Sequence, residues 1–397
     1  MPSKLVSKTY PVGLGASCCA KVQGEFRVFK LVKQLGSDGA EGRVFHGQSG
    51  SLNCAIKVYS QEHRRQGSDE KLLRKISLLI AAGTPFASAR APLFAWPQAT
   101  IHKGTTPADL TAKQFVGFMM PMGDGLVSLA EIAERAKKFN KPSLTQRHMI
   151  GYLVARGFAM IHLGSQITDA GGTTRVSFAV GDVNDSNIAV TNDYVPFFLD
   201  CDSYIIRTRA DIFDHAYGRP EYASPEYLTA KAIGERMVRA ASDDNFGLAV
   251  LIFRLLNDWQ RPYIYRGAKR LSAEALILER RFPYSSSGSE VIPDAKATLE
   301  AYRTEIDPRL KLLFKRAFLK GGARPTAAEW ATSLGESVVA RKDFVQAPKS
   351  PAAPQTAPQV SPPPTPIPIQ QPTSSGRSAI MAAVFAVLVI IVWFLRH

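Results

Sequence analysis

The stretch that most constrains this chain runs from Gly181 to Asp202. A polar run, Gly181-Asp182-Val183-Asn184-Asp185-Ser186-Asn187, precedes the apolar triplet Ile188 to Val190, a turn at Asn192-Asp193, a second apolar run and then Leu199-Asp200-Cys201-Asp202. Two short apolar runs about a turn form a hairpin, and a hairpin decides which polar groups emerge at its open end. Asp182, Asn187 and Asp200 come out together there, three oxygen-bearing side chains suited to a substrate hydroxyl and a hard divalent cation such as Mg²⁺.

The residues before the hairpin suggest an anion-handling strand layer. Phe26 to Val32 alternates apolar and polar, and a glycine-rich segment with Gly36, Gly39 and Gly42 leads into Arg43-Val44-Phe45. Glycines between two strands let backbone N–H groups close over phosphates, where a Cβ would hold the ligand off; an ordinary hairpin turn is the plainer alternative. The strand Cys54-Ala55-Ile56-Lys57-Val58-Tyr59 carries a lysine inside an apolar run, which is costly unless its amine meets an anion. The segment from Ser68 reads as a helix with Ser68 at its cap and Asp69 and Glu70 in the first turn. Glu70 is the expected partner of Lys57, with Asp69 as competitor and a solvated Glu70 as the plainer alternative.

Phe115 to Met122 is a buried strand stopped by Pro121, and Ser143 opens a long helix carrying Met149, Ile150, Leu153, Phe158 and Ile161 at helical spacing. Gly171-Gly172-Thr173-Thr174 marks a surface insertion before Asp182. Ser242 to Leu256 is a capped, almost wholly apolar helix, hence buried.

Taken in order, these segments resemble the protein kinase superfamily over about residues 26 to 340. Gly36, Gly39, Gly42 and Val44 stand at the glycine-rich loop, with Ser37 where its first glycine would be, and Ala55 and Lys57 stand in the Val-Ala-Ile-Lys strand. Met120 to Met122 stand where backbone groups meet adenine. Asp182 stands at the catalytic Asp, and Asn187 and Asp200 at the metal ligands. Gly218-Arg219-Pro220-Glu221-Tyr222-Ala223-Ser224-Pro225-Glu226 resembles Gly-Thr-Pro-x-Tyr-x-Ala-Pro-Glu, the platform for a peptide substrate. Asp244 matches the acid that anchors the catalytic loop, and Arg324 the arginine that pairs with Glu226. The resemblance implies an α+β, two-lobed fold, with a small antiparallel lobe over about 25–121, a large helical lobe over about 122–340 and an N-terminal extension over 1–24. It further implies ATP and Mg²⁺ as cofactors, Lys57 set by Glu70 as the phosphate grip, and a buried Glu226–Arg324 pair. The loop and metal-motif variants look most like a bacterial Ser/Thr kinase-like group related to kinases encoded beside phosphatase and von Willebrand-type partners.

Three departures carry consequences. Val180-Gly181 replaces the His-Arg before the catalytic Asp, so the sequence leads one to expect no basic pocket for a phosphorylated activation loop. Asn184 replaces a lysine that faces the transferred phosphoryl, which predicts slower or altered chemistry. Asp202 replaces the Gly of Asp-Phe-Gly. These changes motivate two rivals to a protein kinase: a pseudokinase that binds nucleotide as a membrane scaffold, and a small-molecule phosphotransferase, against which the Ser-Pro-Glu and Arg-Pro motifs argue.

The net charge of +15 fits an anionic membrane face, and the scatter of basic residues makes nucleic acid the weaker partner. Cys18, Cys19, Cys54 and Cys201 have no metal-ligand spacing and are read as incidental thiols in a reducing compartment. No signal peptide is visible in Met1 to Val12. From 346 to 377 proline dominates, predicting an extended tether, and the uncharged residues 379–395 predict one short membrane helix. The expected arrangement is a tail-anchored enzyme whose catalytic domain stays in the cytoplasm and acts on a protein substrate.

Overall fold

The computed structural model describes residues 8–340 except for 68, 86–92, 136–141, 170–171, 215–217, 267–270, 286–295 and 322. The Ser68 cap, the tether and the 379–395 helix lie outside the described residues. Among those described, no helix is long and apolar enough to cross a membrane.

Alternating and β-branched stretches fold first into a closed barrel. Its strands are β1 (Ser17–Val22), β2 (Glu25–Leu35), β3 (Gly42–Ser49) and β4 (Leu52–Tyr59), closed, past the short β5 (Leu93–Phe94), by β6 (Ala99–Lys103) and β7 (Phe115–Met120) in the order β1-β2-β3-β4-β7-β6. β1 corrects the expectation of an N-terminal extension over 1–24. Its small residues Cys18, Cys19 and Ala20 are fully buried and pair with β2 and β6. Strand approach here is close: a Cβ at Gly117 would sit 1.9 Å from the Lys57 carbonyl oxygen, so only glycine lets β7 lie against the strand that carries the lysine. Helices α1 (Gln61–Gly67) and α2 (Asp69–Ala82) follow β4, and α2 buries Lys75, Ile76 and Leu79.

The remainder is mainly helical. After β8 (Val127–Ser128) and α3 (Leu129–Arg135), α4 (Leu144–Leu163) starts at a capping box in which the Ser143 hydroxyl accepts from the Gln146 N–H at 3.2 Å and the Gln146 carboxamide accepts from the Ser143 N–H at 2.8 Å. The expected insertion is a ribbon of β9 (Ser165–Asp169) and β10 (Gly172–Ala179). The predicted hairpin is β11 (Ile188–Val190) with β12 (Pro196–Phe198). It joins a four-stranded sheet in the order β5-β12-β11-β8, while β10 and β9 join β13 (Ile205–Arg207) and β14 (Ile212–Phe213). Then come α5 (Pro225–Ala232), α6 (Ala241–Leu256), α7 (Ala273–Leu278), α8 (Lys296–Glu305), α9 (Pro308–Phe318) and α10 (Ala327–Ala340).

α6 is almost wholly buried, and Phe253 in its last turn lies within 6.1 Å of the Phe282, Tyr284, Tyr302, Phe314 and Phe318 rings. Its cap is Ala240, whose N–H donates to the Asp243 carboxylate at 2.9 Å; Ser242 lies inside the first turn. This is an α+β architecture, a β-rich N-terminal part followed by helices, and it fits a kinase-like fold.

Candidate active site

The geometry of the loop from Val180 to Asn187 begins with a buried carboxylate beneath it. Asp244, in the first turn of α6, accepts from the Val180 N–H at 2.7 Å, the Gly181 N–H at 2.8 Å and His162 Nε2 at 3.0 Å. Three donors offset the cost of burying it, and the loop backbone becomes fixed to the large helix. Above this anchor two carboxamides hold Asp182: Asn184 Nδ2 donates to Oδ1 at 3.0 Å and Asn187 Nδ2 donates to Oδ2 at 3.1 Å. Asn184 also accepts from the Ser186 and Asn187 N–H groups at 2.9 and 3.2 Å. The residue that replaces a lysine thus shapes the loop that orients Asp182.

Asn187 spends its amide nitrogen on Asp182, which leaves its carbonyl oxygen as a donor for a hard cation. The Leu199 N–H donates to the Asn187 carbonyl at 2.9 Å and ties the start of the hairpin to its end, bringing Asp200 back to the site. Asp200 is left-handed, with φ +48°, a conformation Asp tolerates better than most residues. Its side chain is 52% exposed. Lys57 draws its carboxyl down, but burial of its surroundings, Asp202 and Glu41 outweigh that and raise its pKa. Among the described residues no group of three or more His, Cys, Asp or Glu forms a ready metal cage. The oxygen donors of Asn187 and Asp200 fit Mg²⁺, which keeps waters and substrate oxygens in its shell and takes one or two protein ligands.

Lys57 sits where β4 faces these groups. Its Nζ lies 2.8 and 2.9 Å from the two Asp202 carboxylate oxygens, 3.1 Å from Glu41 Oε2 and 3.4 Å from Asp200 Oδ1. Burial alone would push this amine down; facing Asp202, Asp200 and Glu41, it is held well above the ordinary lysine range. Tyr59 Oη donates to the same Asp202 at 2.7 Å, so Asp202 is clamped by a lysine and a phenol from one strand.

The expected Glu70 partner is therefore a correction. Glu70 is exposed in the first turn of α2, and Asp69 pairs with Arg64 at 2.6 Å. The buried position is Lys75, five residues on. Five residues are about 7.5 Å along a helix and about 140° around it, so an acid at 70 cannot share that face. With a lysine turned inward on α2, the acid that Lys57 requires comes from Asp202. The sequence signal was available: Lys75, Ile76 and Leu79 follow the spacing of one helix face.

The glycine-rich segment differs from expectation too. Gly36 takes φ +71°. Gly39 donates to the Gly42 carbonyl at 3.0 Å, and a Cβ at Gly42 would lie 2.4 Å from the Val58 carbonyl oxygen. Gly42 is thus required by strand packing whatever binds beneath it. Lys8 donates to the carbonyls of Gly39 and Ala40 at 2.7 and 2.8 Å, while Glu41 turns inward to Lys57. Val44 pairs with Lys57 across β3 and β4, and Ala55 with Met120 across β4 and β7, so the residues expected around adenine border one strand layer that ends at Met120, with Met122 just beyond.

On the other flank, Arg239 brings a guanidinium to Gly181, beside the position where the resembled motif has its arginine. Gly181 has φ +72°, and Arg239 Nη1 donates to its carbonyl at 2.5 Å; a Cβ on Gly218 would lie 2.4 Å from the same nitrogen. Gly218 makes room for the buried Arg239 guanidinium, while a Cβ on Gly181 would instead meet Ile205 at 2.8 Å. Glu226 does meet Arg324, at 2.5 Å, and also bonds Arg280. Glu226 is 42% exposed, however, so this pair is a half-solvated network and not the buried one expected. The four cysteines are free and buried, and burial pushes the Cys18 and Cys54 thiols up to about 12, which fits inert packing.

The fold and these groups fit a kinase-like arrangement: a loop Asp, an Asn five residues later, and an Asp at the end of the following hairpin that meets a lysine from the strand layer. Comparison with known proteins agrees at that level. The chain is 27% identical over 319 residues to Protein kinase YegI of Escherichia coli K12, covering 77% of this chain and 44% of that protein. It is 28% identical over 255 residues to Protein kinase YegI of Escherichia coli O157:H7, covering 60% of this chain and 35% of that protein. The matched regions thus span less than half the length of these curated relatives. No family model matches the chain.

Proposed function

We propose that the chain is a Ser/Thr protein kinase, transferring the γ-phosphate of ATP to a protein hydroxyl with Mg²⁺, and that residues 379–395 anchor it to a membrane. What supports this reading is Lys57 held 3.4 Å from Asp200 Oδ1, Asp182 aimed by the carboxamides of Asn184 and Asn187, and the Leu199 N–H bond to the Asn187 backbone carbonyl that ties these two groups together. Asp182 would orient the acceptor hydroxyl and take its proton, Lys57 would hold phosphate oxygens, and Asn187 and Asp200 would hold Mg²⁺, which when bound neutralises phosphate charge. Positioning and charge neutralisation supply most of such a rate enhancement. Glu41 at 3.1 Å from Lys57 favours one second reading, a nucleotide-gated scaffold, because a carboxylate there competes with phosphates for the amine.

Titration of the full chain with ATP, with and without Mg²⁺, followed by phosphoamino-acid analysis of a labelled protein mixture, tests the proposal. Mg²⁺-dependent binding and label on Ser or Thr support it. Binding with no label on any protein favours the scaffold, and no binding ends both. Recovery of the chain in the membrane fraction, lost on deletion of 379–395, tests the anchor.

A further inference from the structure

We infer that the cavity beside Asp182 receives an anionic side chain next to the acceptor hydroxyl, making acidic or phosphorylated protein segments the substrates. The inference rests on Asp182 being the residue that meets the acceptor. The cavity has a volume of about 340 Å³, and its charged walls are Asp182, Arg219, Lys231 and Arg239: three cations against one carboxylate.

Each cation is held differently. Arg219 replaces the threonine of the resembled motif; its guanidinium donates to Ser186 Oγ at 2.8 Å and lies 3.3 Å from Asp185 Oδ1, yet it remains 49% exposed. It is therefore fixed to the catalytic loop with donors left over. Arg239 fills the space left by the missing Cβ of Gly218, donates to the Gly181 carbonyl and stacks 4.9 Å from the Tyr227 ring centroid. Lys231 stands exposed on α5 and forms no ion pair among the described residues. Guanidinium and ammonium groups converging in a concave wall recognise carboxylate or phosphate through charge-assisted hydrogen bonds, and a concave surface of one sign concentrates the opposite charge. A lysine- or arginine-flanked acceptor would face these three cations.

The test reads binding, so it can stand or fall apart from catalysis. Fluorescence anisotropy on the full chain compares peptides whose central Ser is flanked by Glu, by phosphoserine, by Ala or by Lys. The Glu or phosphoserine peptide should bind at least about tenfold tighter than the Ala peptide, the size of one charge-assisted contact, and whichever of the two binds tighter names the group. Lys231→Glu with Arg219→Gln should reduce that gap to about threefold or less. Lys320→Glu with Lys315→Gln, the same charge change at exposed residues outside the cavity, should leave it intact and so controls for net charge. Equal affinity for the Glu, phosphoserine and Ala peptides, or a gap that survives the double substitution, overturns the inference. A persistent acidic preference without any label transfer would keep the pocket while ending the kinase reading.

Discussion

Replacing Lys75 by Met should make the protein more stable at neutral pH, and the gain should shrink as pH rises. Lys75 is 8% exposed on α2. Burial lowers its pKa from 10.5 to about 8, with Lys57 pushing the same way against the charges of Asp202, Glu41 and Asp214. A lysine whose folded pKa lies below its unfolded one binds fewer protons when folded, so between about pH 8 and 10.5 the unfolded state holds more protons and stability rises with pH. Below pH 8 the full cost of the buried charge is present. At 1.36 kcal/mol per pH unit this cost is on the order of 3 kcal/mol, and the apolar, similarly shaped Met removes it with little loss of packing. Urea denaturation at pH 7, 8.5 and 10 would measure it, with the Met variant ahead by roughly 1–3 kcal/mol at pH 7 and nearly level at pH 10. A Met variant that is less stable at pH 7 would refute the reasoning, since the ammonium would then be a net stabilising partner of Asp202 or Glu41.

Asp202→Asn should strip Lys57 of its strongest partner and cost about 3–5 kcal/mol, as for one half of a buried ion pair, whereas Glu70→Ala should stay within about 0.5 kcal/mol; parallel denaturation curves distinguish Asp202 from Glu70 as the lysine's acid. Glu41→Gln should tighten ATP binding by about three- to tenfold, the worth of roughly 1 kcal/mol of competition at Lys57, and weaker binding measured by calorimetry would show that Glu41 supports the nucleotide. Glu226→Ala should cost only about 1 kcal/mol, because a pair this exposed is screened. Arg324 holds the Glu226 carboxyl below its usual range although burial pushes the other way, so the pair's contribution is present above about pH 4.5 and lost as pH falls through the lowered value. A melting-temperature gap between wild type and Glu226→Ala that widens on acidification would contradict this.

The parts of the site that depend on short-range pattern were legible in the sequence. The hairpin that carries Asp182, Asn187 and Asp200 follows from two apolar runs about a turn, and the Asp244 anchor from the resemblance of its helix to the kinase motif. What the sequence concealed were contacts across the chain. Glu70 is near the right place in sequence order and on the wrong face of its helix. Asp202 reads as a lost glycine until Lys57 and Tyr59 converge on it. Arg239 lies far along the chain from Gly181, and only the missing Cβ of Gly218 hints that another group fills the space. β1 escaped because its apolar residues are small and carry no alternation.

Phosphate transfer from labelled ATP to protein by the full chain, beside Asp182→Asn, measures the central claim most directly. Asn keeps the shape of position 182 and one of its two accepted hydrogen bonds and removes the carboxylate that would take the proton, so nucleotide binding should persist while transfer falls by about a hundredfold or more. Transfer in the Asn variant at the wild-type rate would contradict the account.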